Sequence, residues 1–373
     1  VDPTTGLVTV GAGATLGEVL ASVVPAGWML PVVPGTRHVT VGGAVASDVH
    51  GKNHGHAGSF ADWVTRLRLL TPEGPRDLDP HDDRRVFWAT AGGMGLTGIV
   101  SRATLRLVPL TSTWFDTITW RTDSLADTLR VMDLAGDQHV LAWLDPSARS
   151  TAVGRGVVTA GRPATTAPRG TAAPAPNPRA LTLPTSVPVA RSALVRAMSA
   201  ARWRTTAPGP TERPLQLDEF LFPLDRFASW NRLFGRRGLV QWQAAVPNGT
   251  EDALEEMLLA PCAHGTRPSL VSLKRLGGAN GGPLSFPMAG WTLALDFPAA
   301  ARDLWALLDR LDAITVVAGG RVYLAKDARL RPATFRAMYP RVEEWCAIRS
   351  EIDPKRTMGS DLARRLHLVE ATA

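Results

Sequence analysis

The chain begins with an alternating stretch, GLVTVGAG at 6–13, which predicts a strand running into a glycine turn. The period then changes. ATLGEVLASVV places apolar residues at helical spacing, with Thr15 as N-cap and Glu18 three residues on, the spacing of a capping box. PAGWMLPVVPGT predicts a turn, a short strand and a second turn. VGGAVAS is small and apolar, and leads into a loop rich in histidine. VTRLRLLTPEG predicts a strand entering a hairpin turn at Pro-Glu-Gly. VFWATAGGMGLTGIVSRATLRLVPL predicts a short helix, a glycine-rich turn and a long strand. Residues 1–110 therefore form an α+β unit.

Pattern is lost at TAVGRGVVTAGRPATTAPRGTAAPAPNPRA, residues 151–180. Its Pro, Ala, Thr and Gly carry no period and predict a flexible surface loop or lid. Order resumes with strands at LVQWQAAVP, MAGWTLALDFP and RVYLAKD. Helices are expected at TEDALEEMLLAPCAHG, with Thr250 as cap, at ARDLWALLDRLDAITVVAGG, and at YPRVEEWCAIRSEIDP, stopped by Pro354. A substrate domain over 111–325, containing a flexible segment at 151–210, and a closing segment at 326–373 that returns to the first domain complete the expected organisation.

With 373 residues, 45% hydrophobic and 20% charged, the chain is an ordinary folded protein large enough for two domains. No apolar run reaches the ~18–20 residues of a membrane span. The chain opens on VDPTTG without a Met or a leader pattern, so a segment upstream of Val1 is expected. The two cysteines, Cys262 and Cys346, form neither a disulfide framework nor a metal motif and are expected to be small buried residues. A formal charge of +7 favours anionic partners such as a phosphorylated substrate or a membrane surface. The basic residues are scattered and no nucleic-acid motif accompanies them, so nucleic acid is not expected.

Chemistry concentrates in the glycine clusters PGT (34–36), VGGAVAS (41–47), HGKN (50–53) and AGGMGLTGIV (91–100). Glycine lets backbone approach a ligand or take positive φ, and four clusters within 70 residues suggest a large ligand held by backbone N–H groups. Neither a G-x-G-x-x-G nor a P-loop motif is present. His50, His54 and His56 stand in SDVHGKNHGHAGSF. As a metal triad they lack a rigid element and a carboxylate partner, so no metal is expected.

The order GLVTVGAGATLGEVL, LPVVPGTRHVTVGGAVASDVHGKNHGHAGSF, FWATAGGMGLTGIV resembles the FAD domain of the vanillyl-alcohol-oxidase/p-cresol-methylhydroxylase (VAO/PCMH) flavoproteins. FPLDRFASWNRLFG, GLVQWQAAVP, GGPLSFPMAGWTLALDFP, GGRVYLAKDAR, MYPRVEEW, DPKR and SDLARRL extend the likeness to the polyprenylphosphoryl-ribose 2-oxidases of that superfamily, over nearly the whole chain outside 151–210. The resemblance implies an α+β two-domain flavoprotein with non-covalent FAD. Its substrate domain has an antiparallel sheet and flanking helices. The implied reaction oxidises the 2-hydroxyl of a lipid-phosphate-linked ribose. The implied partner is an NAD(P)H-dependent keto-sugar reductase that completes an epimerisation.

Carried over residue by residue, the resemblance implies a cofactor set of Pro34, Gly35, Thr36, Val39, Gly42, Gly43, Ala46, Ser47, Val49, His50, Gly51, Asn53, Gly95, Gly98, Ile99 and Tyr323. Lys326 in YLAKD matches an essential lysine and would stabilise charge at the flavin edge. His50 is a candidate base, and it and Lys52 would face the substrate. His54 and His56 are expected to be structural or solvent-facing. Gln241 and Gln243 alternate about Trp242, so both face one side, where amides suit sugar hydroxyls. Lys274 would meet phosphate or sugar oxygens. Trp143 and Phe227 are expected as apolar pocket residues.

Three positions depart from the pattern. The pyrophosphate-cradling loop would lie upstream of Val1. Ala294 stands where mycobacterial members carry a cysteine, so cysteine-directed inhibitors should lose their target. Leu221 replaces a tyrosine. Competing expectations are an alditol or aldonolactone oxidase and a flavin-free binding protein. The expected location is cytoplasmic or at the membrane periphery, with the periplasmic face left open.

Overall fold

The computed structural model describes residues 1–136, 138–166, 181–182, 192–228 and 237–369; the side chains of 181–182, 192–195 and 227–228 are outside that description. Two compact units are present. The first comprises Val1–Leu110, Gly278–Pro287 and Asp327–Ala373, the second Thr111–Gly277 and Met288–Lys326. The segment Gly278–Pro287, placed in the substrate domain from sequence, is therefore part of the first unit.

In the first unit a four-stranded antiparallel sheet runs in the order Leu7–Gly11, Ile99–Arg106, Val64–Thr71, Gly74–Leu78. The helix Leu16–Val23 forms as its sequence dictates. Glu18 N–H donates to Thr15 Oγ1 (3.2 Å) and Thr15 N–H donates to Glu18 Oε2 (2.8 Å), closing the capping box. Leu16, Val19, Leu20 and Val23, one helical stripe, are buried. The helix Val342–Ile352 packs on Arg84–Thr90, and Trp345, fully buried, donates its indole N–H to Ala89 O (2.9 Å). Arg349 is also buried, donating to Leu96 O and Met358 O and paired with Asp353.

The second unit is built on an eight-stranded, wholly antiparallel sheet. Its order is Thr211–Gln216, Trp114–Thr122, Gly156–Pro163, His139–Leu144, Leu270–Leu276, Gly290–Pro298, Leu239–Pro247, Arg321–Val322. One face is apolar: Ala142, Val158, Val271, Leu273, Leu293, Leu295, Phe297, Trp242 and Ala244 are all buried. The helices Leu125–Leu134, Glu251–Ala263 and Leu304–Val317 pack against this sheet. Burial of each such large side chain contributes about 1.5–3 kcal/mol. Trp242 carries its one polar atom into this layer and donates to Asp312 Oδ1 (2.8 Å).

Several expectations change. Gly156–Pro163, inside the segment expected to be a flexible loop, is a strand near the middle of the sheet, because GVVTAG presents buried residues to both faces. Ser192–Thr205 is a helix; residues 167–180 and 183–191 lie outside the described residues. RVYLAKD is a strand only at Arg321–Val322, after which Leu324–Lys326 turn as a 3-10 helix. His54–Ala57, taken as loop on account of its glycines, forms one helical turn. Thr250 occupies the N-cap of Glu251–Ala263 without a side-chain cap; its hydroxyl donates to Pro247 O instead. Cys262 and Cys346 are half-buried rather than buried. Among the described residues no helix is long and apolar enough to cross a membrane, and no His, Cys, Asp and Glu group could hold a metal.

Candidate active site

In the first unit the loop at 34–40 leads into the helix Val41–Ala46, which starts on Thr40: its Oγ1 accepts from Gly43 N–H (3.2 Å). Val39 O accepts from Leu16 N–H (2.8 Å), fastening the loop to the preceding helix. The turn at 92–98 is brought against the end of Val41–Ala46 by Gly92 N–H to Val45 O (3.0 Å) and Met94 N–H to Ala46 O (2.9 Å). Gly92, Met94, Gly95 and Gly98 all have positive φ, which explains the glycine content of that turn. Thus Pro34, Gly35, Thr36, Val39, Gly42, Gly43, Ala46, Ser47, Gly95 and Gly98 lie on three adjoining segments. Ile99 follows at the start of its strand and is 60% exposed.

The histidine loop is a buried structure. Asp48 has φ +40 and no exposed surface. It accepts from Ala61 N–H (3.3 Å), from Asn280 Nδ2 (2.7 Å) and from Ser285 Oγ (2.5 Å). Burial, the larger cause, and the neighbouring Asp62 push its carboxyl up to about 6, against the hydrogen bonds that pull it down. Val49, His50, Lys52, Asn53 and His54 are buried; His56 is exposed. His50 packs its ring on Phe286 (5.3 Å between centroids). His54 Nε2 shares a hydrogen bond with Ser59 Oγ (3.1 Å), a structural role. Asn53 donates to Pro31 O (2.8 Å), while its Oδ1 is buried with no hydrogen-bond partner. A Cβ on Gly51 would come within 2.5 Å of that oxygen and 3.1 Å of Val33 O, so only glycine lets the loop lie there.

These residues fit a flavin dinucleotide. Asn53 Oδ1 is a buried acceptor awaiting a donor. Gly35 and Gly95 have open space where a side chain would stand, leaving backbone free to approach a ligand. The 34–36 loop and Gly95 would approach the group by backbone, with Gly42, Gly43 and Ser47 on the helix segment between them.

In the second unit the register puts the expected substrate residues on one face. Gln241 pairs with Asp296, Gln243 with Ala294, Lys274 with Thr292 and Ser272 with both Ala294 and Trp143, and directly paired residues share a face. Gln241 donates to Asp296 Oδ1 (2.5 Å) and Gln243 to Thr292 Oγ1 (3.0 Å). Tyr323, buried, hangs on Gln243 O through its backbone N–H (2.8 Å) and accepts from Lys326 N–H (2.9 Å), which seats the 3-10 turn beside this face.

Its electrostatics are those of a desolvated site. Burial pushes Asp296 up to about 6, opposed by Gln241 and by the Lys326 charge. Lys274 is lowered to about 8, by burial first and then by Lys326. Lys326 is also lowered by burial, with Asp296 acting the other way. Lys326 itself is exposed and stands beside this face, held there by its backbone bond to Tyr323. Trp143 is half-buried on the same face. Leu221 is buried in the short helix Leu217–Leu221, and the Phe227 side chain lies outside the described residues. Sequence reasoning missed Asp296, Thr292, Asp48, Asn280 and Ser285. A lone acid in the apolar run GWTLALDFP was the available signal for Asp296; the other four carried none.

Two family models match the chain: an FAD-binding domain at residues 1–76 and D-arabinono-1,4-lactone oxidase at residues 302–366. The chain is 37% identical to the decaprenylphosphoryl-beta-D-ribose oxidase of Mycolicibacterium smegmatis, over 99% of its own length and 82% of that protein. It is 38% identical to an uncharacterized protein of Streptomyces coelicolor, over 95% of this chain and the whole of the other. L-gulonolactone oxidase 5 of Arabidopsis thaliana is 30% identical across 27% of this chain and 19% of its own. The glycine-lined segments that fit FAD and the full-length likeness to a flavin oxidase together establish that the chain belongs to the decaprenylphosphoryl-β-D-ribose oxidase family of FAD-dependent oxidoreductases.

Proposed function

We propose that the protein oxidises the 2-hydroxyl of a polyprenylphosphoryl-β-D-ribose to the 2-keto sugar, with FAD bound non-covalently. The observation that carries this is the polar face bearing Gln241, Gln243, Lys274, Thr292 and Asp296, with Lys326 beside it. Amides and a pair of lysines match sugar hydroxyls and an anionic substrate. FAD would supply the hydride acceptor for the carbon that bears the 2-hydroxyl. The protein holds the sugar through Gln241 and Gln243, places positive charge at Lys326 and Lys274, and excludes water. His50, buried among apolar and histidine neighbours, is the proposed acceptor of the hydroxyl proton. Lys52 and Trp143 complete the proposed substrate contacts. A separate NAD(P)H-dependent reductase would return hydride to the keto sugar from the opposite side, giving the arabinose epimer. The lipid tail puts the work at a membrane surface.

Visible absorption tests this. Flavin bands should bleach on anaerobic addition of the polyprenylphosphoryl-ribose, and Lys326→Ala should lose that bleaching while keeping the bands. Bands that bleach only with free sugars or aldonolactones would move the substrate to the class named by the match at 302–366.

A further inference from the structure

The helix Ser192–Thr205 is tied across the polar face of the second unit. At its end Trp203 donates to Thr122 O (2.8 Å), and the guanidinium groups of Arg121 and Arg155 stack on its ring at 4.4 and 4.0 Å. Arg155 is fixed in turn by Asp145, whose side chain is fully buried (2.8 Å). Arg121 and Trp143 both pair with Val157, so Arg121 marks the polar face.

Arg196 stands seven residues before Trp203 and four before Ala200, which is 6% exposed. The three form one stripe turned to the sheet. Two helical turns cover roughly 10 Å, about two strand spacings, which carries Arg196 from Gly156–Pro163 over to Leu270–Leu276. The helix packs against both strands. Arg267 lies just ahead of Leu270–Leu276, and its positive charge acts on Arg196; burial, the larger cause, and that repulsion hold Arg196 below its usual range. This corner adjoins the sugar residues: Ser269 N–H donates to Asp296 O (2.6 Å), and Leu270 pairs with Asp296. Ser269 Oγ is buried there with no hydrogen-bond partner.

Arg196 and Arg267 are both half-buried, at the corner where the helix crosses the start of Leu270–Leu276. Among the described residues no carboxylate forms a salt bridge with either. Arginine forks match phosphate oxygens in pairs, and an anion between two of them reverses the repulsion. We propose that Arg196 and Arg267 clamp the phosphate of the lipid-phosphate-linked sugar, one jaw on the helix and one on the loop that enters Leu270–Leu276, at the Asp296 end of the polar face. This deepens the proposed function and rests on it for the identity of the sugar.

The test uses FAD-loaded protein, Arg196→Gln, Arg267→Gln and the double variant. The probes are farnesylphosphoryl ribose and its phosphate-free counterpart, farnesyl riboside. Anaerobic flavin bleaching gives the half-saturating concentration and the saturating rate. For the phosphorylated probe, half-saturation should rise about tenfold or more in either single variant, with the saturating rate within about twofold. For the riboside it should stay at the wild-type value, and the two effects should not add in the double variant. Equal shifts for both probes, or none, overturn the clamp while leaving the oxidase standing. Should the wild type bleach with neither probe, the oxidase reading falls, and calorimetry with farnesyl phosphate decides the clamp. Binding that needs both arginines keeps it; absent or arginine-independent binding overturns it. Displacement by equal concentrations of inorganic phosphate marks a free-phosphate site and overturns the lipid-ester assignment.

Discussion

Asp48 makes the stability of the first unit depend on pH in a direction opposite to that of most carboxylates. Its folded pKa is about 6 against 3.8 in a model peptide, a gap of about two units. Each unit is worth 1.36 kcal/mol, so ionised Asp48 costs the folded state about 3 kcal/mol. Below pH 3.8 the group is protonated folded or unfolded and exacts nothing. As pH rises from about 4 to 6 only the unfolded chain releases the proton, and the folded state loses that stability progressively. Above about 6 the loss is complete. Asp48→Asn abolishes the titration while keeping a residue that tolerates φ +40. The amide meets the donors Asn280, Ser285 and Ala61 N–H less well, a pH-independent cost of about 1–3 kcal/mol. Urea unfolding of FAD-loaded wild type and variant at pH 4.5, 5.5, 6.5 and 8 reads the difference. The variant should gain on the wild type by about 2 kcal/mol from pH 4.5 to 8, nearly all of it below pH 6.5. Parallel stability curves would refute the reasoning, since they would mean that Asp48 ionises as readily folded as unfolded.

Gln241→Leu removes the amide that holds the Asp296 carboxyl down, so the acid limb of flavin reduction against pH should move upward, with weaker substrate binding read from half-saturation. Ala294→Cys installs a thiol between Gln243 and Ser272; mass spectrometry should find it alkylated by a maleimide, and saturating substrate should slow the labelling. Gly154 has φ +75 and an added Cβ would lie 2.5 Å from Leu125 Cβ, so Gly154→Ala should cost about 2–4 kcal/mol in chemical denaturation. Gly136→Ala, at φ +60 in open space, should cost only about 1–2 kcal/mol.

Local signals carried much of this fold. The Thr15–Glu18 box and the Val64–Leu78 hairpin could be predicted because their determinants lie within a few residues. Gly156–Pro163 was hidden because proline and alanine on one flank masked a short apolar run whose partners lie far away in sequence. RVYLAKD alternates like a strand, but the neighbouring strand pairs with only two of its residues. The one-sidedness of Gln241 and Gln243 followed from period two, yet nothing in that period names Asp296 as their neighbour. The bonds from Asn280 and Ser285 to Asp48 span more than two hundred residues, a separation at which pattern is silent.

The chain passes between the two units at 110/111, 277/278, 287/288 and 326/327. On the ribosome this ordering is a timetable. Residues 1–110 are made well before the rest of their unit: the Asp48 carboxyl meets Asn280 and Ser285 only after Thr111–Gly277 has been made, and Ala89 meets Trp345 only after Met288–Lys326 as well. At about 5–20 residues per second the delay is on the order of ten to forty seconds. During that time Asp48 stands without its Asn280 and Ser285 donors, and Ala89 without Trp345. The second unit, in contrast, closes its sheet as soon as Arg321–Val322 has been made. Completion of the first unit is thus a late event in biosynthesis, and nascent chains stalled before Asp327 should leave the helix Arg84–Thr90 uncovered by Val342–Ile352 and open to chaperones.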